Sequence, residues 1–221
     1  NNFESHYNLL KSFKDFLNLN QIPQRIEAYD NSHIFGNQSL GVMIVVNHEG
    51  FENKSYRKFN IKFNKLELQK SKSNDYYMLQ EVLERRLAKV ENSEEWTIPD
   101  VMIIDGGKGH LNKAMEILDK FNRKEVKLIA IAKGLERNSG KEIVHYNNKE
   151  KILRINDLLL HFMQRIRDEA HRFAINSHRK RRFKAATLSV FNEIKGIGNK
   201  RKRILLQHFG TIKQIKNASI N

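Results

Sequence analysis

Apolar residues recur along the first part of the chain at helical spacing and then at strand spacing. The segment NFESHYNLLKSFKDFLNLN is amphipathic, and its apolar face carries Phe3, Tyr7, Leu10, Phe13 and Leu17. Pro23 ends this helix, and the strand QRIEAYDNSH leads to Asp30. LGVMIVVNHEGF and SYRKFNIKF predict two further strands joined through Gly50. We therefore expect one helix followed by a meander of three antiparallel strands.

The next part of the chain alternates helices with strands. NDYYMLQEVLERRLAKV has helical spacing, with Asn74 or Asp75 as its N-cap. VMIID is short and continuously apolar, which is typical of a central strand that runs parallel to its neighbours. A helix in GHLNKAMEILDKF, a strand in VKLIAIAK and a hairpin turning at Asn147 and Asn148 follow. A long helix from about Asp157 to Arg182 completes this part.

This order of elements predicts an α/β fold in which helices flank a mixed sheet. The order is that of the ribonuclease H type, and other mixed sheets fit it about as well. We place one boundary near residue 186. It separates an α/β domain, residues 1–186, from a smaller C-terminal element, residues 187–221.

The composition excludes several classes of protein. The chain has no cysteine, which excludes a disulfide framework and a cysteine-based metal site and favours a reducing compartment. No apolar run approaches the roughly 20 residues of a membrane helix, and residues 1–20 are too polar for a signal peptide. We therefore expect a cytoplasmic protein that does not bind membranes.

Positive charge is concentrated near the C-terminal end. The formal net charge is +15, and eleven Lys or Arg residues lie between Arg172 and Arg203, opposed only by Glu193. Such a block is a solvated helix face, a membrane-surface patch or the footprint of a polyanion. A glycine turn interrupts the block, which a plain charged helix would avoid, so we favour a polyanionic partner.

Two aspartates end strands of the predicted sheet. Asp105 closes VMIID and precedes Gly106 and Gly107, and Asp30 closes the first strand. If these strands are neighbours, the two carboxylates meet at one sheet edge and repel each other unless a cation such as Mg²⁺ lies between them. Turn residues that cap the following segments are the alternative interpretation.

Two further residues are candidates for the same site. Asp75 stands at a helix start, where an N-cap is the simpler explanation. His171 lies in RIRDEAHRFA, and Arg167 and Asp168 share its helix face. A single helix histidine is usually a surface or core residue, but this one precedes a basic run and so is placed to face an anion.

The glycines of GGKGH do not have the spacing of a nucleotide-binding loop, so no small-molecule cofactor is expected. KGIGNKRKRILLQHFG instead has the pattern of a helix-hairpin-helix, whose backbone amides approach a DNA phosphate. The alternative is a helix-turn-helix whose glycine turn serves only a core contact. On the first interpretation, phosphates are contacted by Gly196, Gly198, Lys200, Arg201 and Lys202.

Several of these motifs together resemble one family. IEAYDNSHIFGNQSLGVMIVV, NDYYMLQEVLERR, PDVMIIDGGKGHL, IRDEAHRFAINSHRKRR and IKGIGNKRKRILLQHFGTIKQIKNAS occur in the order and spacing of the C-terminal half of UvrC, the nuclease subunit of bacterial nucleotide excision repair. The resemblance runs from about residue 20 to the end. It implies a ribonuclease H-like endonuclease domain followed by helix-hairpin-helix motifs.

The resemblance also implies roles for individual residues. Asp30 and Asp105 bind Mg²⁺ or Mn²⁺, and His171 replaces the third acidic residue that is usual in ribonuclease H folds. His171 either completes a metal site or assists proton transfer to the departing 3′ oxygen. Asp75 matches a further acidic position implicated in the activity. Backbone phosphates are held by Lys108 and by Arg179, Lys180, Arg181 and Arg182.

The expected activity is the 5′ incision beside a lesion in double-stranded DNA, with UvrB as the direct partner and UvrA acting through the pathway. Compared with the family, the chain is expected to lack the N-terminal nuclease domain, the UvrB-binding segment and the second hairpin. Lys195 replaces the usual proline before the hairpin glycine. The alternatives are a DNA-binding module without catalysis, and a ribonuclease or junction resolvase on the same fold.

Overall fold

The computed structural model divides into two compact units, Asn1–Ala174 and Ile175–Asn221. The boundary predicted near residue 186 lies inside a helix that runs through this division, and it stays a prediction. In the part of the chain that the structure describes, no helix is long and apolar enough to cross a membrane. The structure describes residues 2–32, 39–61, 71–93, 96–132, 142–147, 149–152, 157–192, 198–210, 214–215 and 217–218.

A mixed sheet forms the centre of the first unit. Its strands are β1 Ile26–Ser32, β2 Ser39–Asn47, β3 Gly50–Phe51, β4 Arg57–Ile61, β5 Val101–Asp105, β6 Lys127–Ala132, β7 Ile143–Tyr146 and β8 Lys149–Ile152. Within the described residues their order is β3-β2-β1-β5-β6-β7-β8, and β4 also pairs with β2. The predicted meander is confirmed by the antiparallel pairs β1–β2 and β2–β4. The parallel central position predicted for β5, between β1 and β6, is also confirmed.

Helices cover both faces of the sheet, as the predicted α/β class requires. Helices α1 Asn2–Leu17 and α4 Leu158–Asn192 contribute to the apolar layer on one face. Helices α2 Ser71–Asn92 and α3 Lys108–Lys120 contribute to the layer on the other face. Helix α5 Asn199–Phe209 belongs to the second unit. Because side chains alternate along a strand, each central strand contributes side chains to both apolar layers.

A buried ion pair fastens β1 to α2. Glu27 and Arg86 are both fully buried, and the guanidinium donates to the carboxylate from Nη2 at 2.7 Å and from Nε at 3.0 Å. The hydroxyl of Tyr29 donates to the same carboxylate. Burial raises the pKa of Tyr29 well above its ordinary value, and the charge of Glu27 raises it further. The three groups thus form one hydrogen-bonded cluster in the layer between β1 and α2, in which Nη1 of Arg86 has no hydrogen-bond partner.

Two helix boundaries differ from the sequence prediction. Helix α2 begins at Ser71, so Asp75 lies inside the helix and is not its N-cap. Ser71, Ser73, Asn74 and Asp75 are all favourable N-cap residue types, so the sequence offers several starting points for this helix. Helix α4 continues ten residues beyond Arg182, to Asn192, because no glycine or proline interrupts that stretch.

Candidate active site

Asp30 and Asp105 lie side by side at the carboxyl edge of two parallel strands. The register of β1 and β5 pairs Tyr29 with Ile104, so the next residue on each strand is one of the two aspartates. Neighbouring strands are about 4.8 Å apart. The condition that the sequence left open, that the two strands are neighbours, is therefore met.

The two carboxylates also point to the same face of the sheet. On β1, Ile26 and Ala28 belong to the layer that contains α4, and on β5, Val101 and Ile103 belong to it. Side chains at every second position share a face, so Asp30 and Asp105 continue these two rows. Asp30 is 5% exposed, whereas Asp105 is exposed at the strand end.

His171 reaches Asp30 from α4. Its Nδ1 atom lies 3.2 Å from Oδ2 of Asp30. The His171 side chain is 62% exposed and that of Asp30 is 6% exposed, so the pair spans the boundary between core and solvent. The histidine that the sequence placed at the head of a basic run thus faces a carboxylate of the candidate site.

One side of α4 near His171 is fastened to the loop before β4. The hydroxyl of Tyr56 donates to Oε1 of Glu169 at 3.1 Å, and Arg172 donates to both oxygens of that carboxylate at 2.6 Å. Burial raises the pKa of Tyr56, and the charge of Glu169 raises it further, so the phenol keeps its proton. The ring of Tyr56 also meets Phe173 edge to face, with centroids 5.1 Å apart.

Another side of the helix is fastened to the start of β7. Nη1 of Arg167 donates to Oε1 of Glu142, and the two side chains are only 13% and 8% exposed. Burial lowers the pKa of Arg167, but its hydrogen bonds to Glu142 and Asp168 outweigh burial and raise it. The guanidinium is therefore charged. Together with Glu169, this pair holds α4 against the sheet two and four residues before His171.

Asp75 lies on the opposite side of the sheet from His171. Its helix, α2, packs through Met78, Leu79 and Val82 into the layer that does not contain α4. His110 on α3 is a titratable neighbour of Asp75: burial lowers the pKa of His110, and the negative charge of Asp75 partly opposes this. Asp75 is thus close enough to the segment after Asp105 for its charge to affect His110.

Lys108 is exposed and is the first residue of α3, three residues after Asp105. Between them, Gly106 has a φ of +150° and its amide donates to the carbonyl of Ile131 at 3.0 Å. This turn brings the lysine and the N-terminus of α3 close to the end of β5. A cation and backbone amides near a carboxylate edge are suited to a phosphate group.

The other basic residues predicted to contact DNA are part of the second unit. On α4, Arg179, Lys180 and Arg182 are exposed and Arg181 is half-buried. Gly198 is exposed and precedes α5, where Lys200 and Arg201 are also exposed. Gly196, Lys195 and the side chain of Lys202 lie outside the described residues, so the hairpin stays a prediction.

The donors at the sheet edge fit a hard divalent cation by their chemistry. They are carboxylate oxygens, which Mg²⁺ and Mn²⁺ prefer, and an imidazole nitrogen, which Mn²⁺ also accepts. Two adjacent carboxylates repel each other without a cation. Within the described ranges, no three histidine or acidic side chains are grouped closely enough to enclose a metal ion. The contact that the structure does show is the one between Asp30 and His171.

Comparison with known proteins decides the family. Residues 14–175 match the family model described as the UvrC RNAse H endonuclease domain. The chain belongs to this family. UvrABC system protein C of Zymomonas mobilis subsp. mobilis is 44% identical over 220 residues, covering 96% of this chain and 32% of that protein. UvrABC system protein C of a Wolbachia strain is 44% identical over 221 residues, covering 100% and 34%.

The chain spans about a third of the length of the curated relatives it matches. Endonuclease V of Ciona intestinalis, solved with a 23mer DNA, is similar over 61% of this chain and 58% of that protein, with a TM-score of 0.36 and 14% identity. The family assignment rests on the sequence match, and the fold class on the sheet and helices described above.

Sequence reasoning missed several residues around the site of this UvrC domain. Tyr56, Glu142 and Glu169 hold the helix that carries His171, and His110 lies beside Asp75. A signal existed for His110, because it ends the GGKGH turn directly after Asp105. No local pattern could have joined Tyr56 to Glu169, which are 113 residues apart.

Proposed function

We propose that this UvrC domain is the divalent-metal-dependent endonuclease that cuts damaged double-stranded DNA on the 5′ side of a lesion in nucleotide excision repair. The observation that carries the proposal is the edge where Asp30 and Asp105 end adjacent parallel strands and His171 contacts Asp30. Carboxylates from adjacent strands with a histidine at their edge suit phosphodiester hydrolysis.

In the proposed reaction, Asp30 and Asp105 hold Mg²⁺ or Mn²⁺ through their carboxylate oxygens. When bound, such a cation would supply polarisation of a phosphoryl oxygen and a lowered pKa for a water molecule. His171, oriented by Asp30 through Nδ1, supplies a proton to the departing 3′ oxygen. The water oxygen bonds to phosphorus and its proton passes to bulk solvent as the bond to the 3′ oxygen breaks, which leaves a 3′ hydroxyl and a 5′ phosphate.

The cationic residues contact the DNA backbone and not the bases. Lys108 stands beside the site, and the exposed side chains Arg179, Lys180 and Arg182 are suited to phosphate oxygens. Such contacts carry no base sequence information. Lesion choice then belongs to partners, and the names of the relatives support UvrA and UvrB in that role.

The test is metal-dependent nicking of a lesion-containing duplex that is already incised on its 3′ side and loaded with UvrA and UvrB. Asp105→Ala is compared with the unaltered chain and with Asp119→Ala, which removes an exposed aspartate from α3. If the chain alone shows no nicking, it is joined to the N-terminal half of a UvrC relative. DNA binding is measured in parallel by fluorescence anisotropy.

The proposal expects Mg²⁺- or Mn²⁺-dependent 5′ nicking that disappears in Asp105→Ala while DNA binding and the Asp119→Ala activity are kept. Nicking that persists in Asp105→Ala shows that the carboxylate is structural and the assignment wrong. Binding without any metal-dependent nicking supports a DNA-binding module instead. Preferential cutting of a four-way junction supports a junction resolvase, and cutting of an RNA–DNA hybrid supports a ribonuclease.

A further inference from the structure

The direction of the Asp105 carboxylate depends on the turn that follows it. Gly106 has a φ of +150°, a conformation that side-chain-bearing residues rarely adopt. Its amide donates to the carbonyl of Ile131 at 3.0 Å, which ties the turn to β6. A group that packs on Gly106 therefore restrains the backbone at the residue directly after Asp105.

The ring of His110 packs on Gly106. A methyl group at position 106 would lie 2.5 Å from Cγ and 2.6 Å from Nδ1 of His110. The imidazole therefore occupies the space that a side chain at this position would take. His110 belongs to the first turn of α3, where its amide donates to the carbonyl of Gly107 at 3.0 Å.

The partly exposed ring of Tyr76 packs against the imidazole of His110. The Tyr76 and His110 ring centroids are 4.7 Å apart, with an angle of 42° between the ring planes. The hydroxyl of Tyr76 lies against Gly109, where an added methyl group would be only 2.3 Å from it. Tyr76 comes from α2, so the contact joins two helices over the turn.

We propose that Tyr76 and His110 form a clamp that fixes the turn after β5 and thereby positions Asp105 for the divalent cation. Both are positioning residues, because they contact the turn and not the reacting phosphate. The inference rests on the proposed function, since it needs Asp105 to be a metal ligand. It goes beyond that function by assigning roles to an exposed tyrosine and to the histidine of GGKGH.

Asp75 lies next to the clamp. Asp75 immediately precedes Tyr76 on α2, on the side of the sheet opposite to His171. Its charge acts on His110, where it opposes the effect of burial on the imidazole pKa. Asp75 is thus the sequence neighbour of one clamp residue and acts by its charge on the other.

The clamp predicts a specific change in metal binding. Loss of groups that orient a metal ligand typically weakens metal affinity by about 10- to 100-fold. We therefore measure Mn²⁺ binding to the whole chain by isothermal titration calorimetry for Tyr76→Leu and His110→Ala. The matched control is Tyr146→Leu, because Tyr146 stacks on Phe16 with the same 4.7 Å separation at a plane angle of 39°. Thermal unfolding of each variant is followed by circular dichroism.

We expect Tyr76→Leu and His110→Ala to bind Mn²⁺ at least about tenfold more weakly than the unaltered chain, with the Tyr146→Leu affinity unchanged. If Tyr76→Leu does not fold, a second pair of variants tests the same contact. Gly109→Ala drives a methyl group into the Tyr76 hydroxyl and weakens binding, and adding Tyr76→Phe removes that hydroxyl and restores part of the affinity. Unchanged binding in both Gly109→Ala and His110→Ala overturns the clamp.

Asp105→Asn separates this inference from the proposed function. If Asp105→Asn binds Mn²⁺ like the unaltered chain, the metal site itself is wrong, and the clamp with it. If Asp105→Asn loses binding while Tyr76→Leu, His110→Ala and Gly109→Ala all match Tyr146→Leu, the clamp alone is wrong. Loss of binding in Asp105→Asn together with weaker binding in the clamp variants supports both.

Discussion

The Nδ1 atom of His171 lies 3.2 Å from Oδ2 of Asp30, although 141 residues separate the two along the chain. The contact leaves most of the imidazole exposed at the edge where β1 and β5 end. Asp30 thus orients the ring while the rest of the ring faces solvent. This geometry suits a histidine that transfers a proton, and the first prediction depends on it.

We expect His171→Ala to lower the rate of metal-dependent nicking by about 100-fold or more, since a positioned acid or base contributes that much. Mn²⁺ affinity should be unchanged, because the proposed ligands are Asp30 and Asp105. Single-turnover nicking and calorimetry are the measurements. His161→Ala is the matched control, as it removes an exposed histidine from the same helix. A parallel fall in Mn²⁺ affinity would make His171 a metal ligand instead.

The hydrogen bond between Tyr56 and Glu169 should stabilise the helix that carries His171. Tyr56→Phe removes this bond and keeps the edge-to-face contact with Phe173, so we expect a loss of about 1 kcal/mol in unfolding free energy. Nicking should also slow, because α4 is less firmly held. Urea unfolding and nicking are compared with Tyr7→Phe, which alters a half-exposed tyrosine on α1. Equal stability of the two variants would contradict the prediction.

The buried pair of Glu27 and Arg86 predicts a large loss of stability on removal of one partner. Glu27→Gln leaves the Arg86 charge buried without its carboxylate, and breaking a buried pair costs about 3–5 kcal/mol. Denaturant unfolding can be followed by the fluorescence of Trp96, the single tryptophan, whose ring centroid lies 5.0 Å from the Arg86 guanidinium.

Glu116→Gln is the control for that measurement. Its carboxylate pairs with Lys113 at the surface and is 65% exposed, and surface pairs contribute at most about 1 kcal/mol. A Glu27→Gln variant no less stable than this control would show that the buried pair contributes little.

Stability should depend on pH through His110. Burial lowers the pKa of this imidazole below its ordinary 6.5 in the folded protein, so the unfolded chain binds the proton first as pH falls. Its stabilising contribution is therefore complete above 6.5 and is lost as pH falls through 6.5 towards the folded value. His110→Gln should show a smaller difference in unfolding free energy between about pH 5 and about pH 7.5.

Asp75→Asn is the paired variant for the pH measurement. The charge of Asp75 raises the pKa of His110, so its removal should lower that pKa further and enlarge the pH dependence. Opposite effects of His110→Gln and Asp75→Asn are the expected result. Identical pH dependence in all three chains would mean that His110 does not titrate differently on folding.

The exposed basic residues of α4 should contribute to DNA affinity without base preference. Arg179→Ala and Lys180→Ala should weaken binding equally on duplexes of different sequence. Removing one side chain that neutralises a phosphate should reduce the slope of log affinity against log salt by about 0.9. Anisotropy titrations over a salt series measure this, with Lys11→Ala on α1 as the control. An unchanged slope would exclude phosphate binding by these side chains.

The pair of aspartates could be predicted from the sequence because both of its determinants are local. Asp30 and Asp105 each end an apolar run, and the carboxyl ends of parallel strands meet at one edge. Their adjacency still depended on strand order, which the topology of the whole chain decides. The structure resolved that condition through the pairing of β1 with β5.

Other features could not be predicted, because they depend on which faces meet in three dimensions. Arg86 follows another arginine in a charged helix, and only the packing of α2 on β1 makes it a buried partner of Glu27. Asp75 was misjudged as an N-cap because four favourable N-cap residues lie within five positions. Its relation to His110 requires α2 and α3 to be neighbours.

The long separation of Asp30 and His171 has a consequence during synthesis on the ribosome. At about 5–20 residues per second, His171 is made roughly 7–28 seconds after Asp30. Throughout that interval the growing chain carries one half of the contact without the other. A chain interrupted before α4 therefore lacks the contact between Asp30 and His171, and we expect it to lack the proposed cutting activity as well.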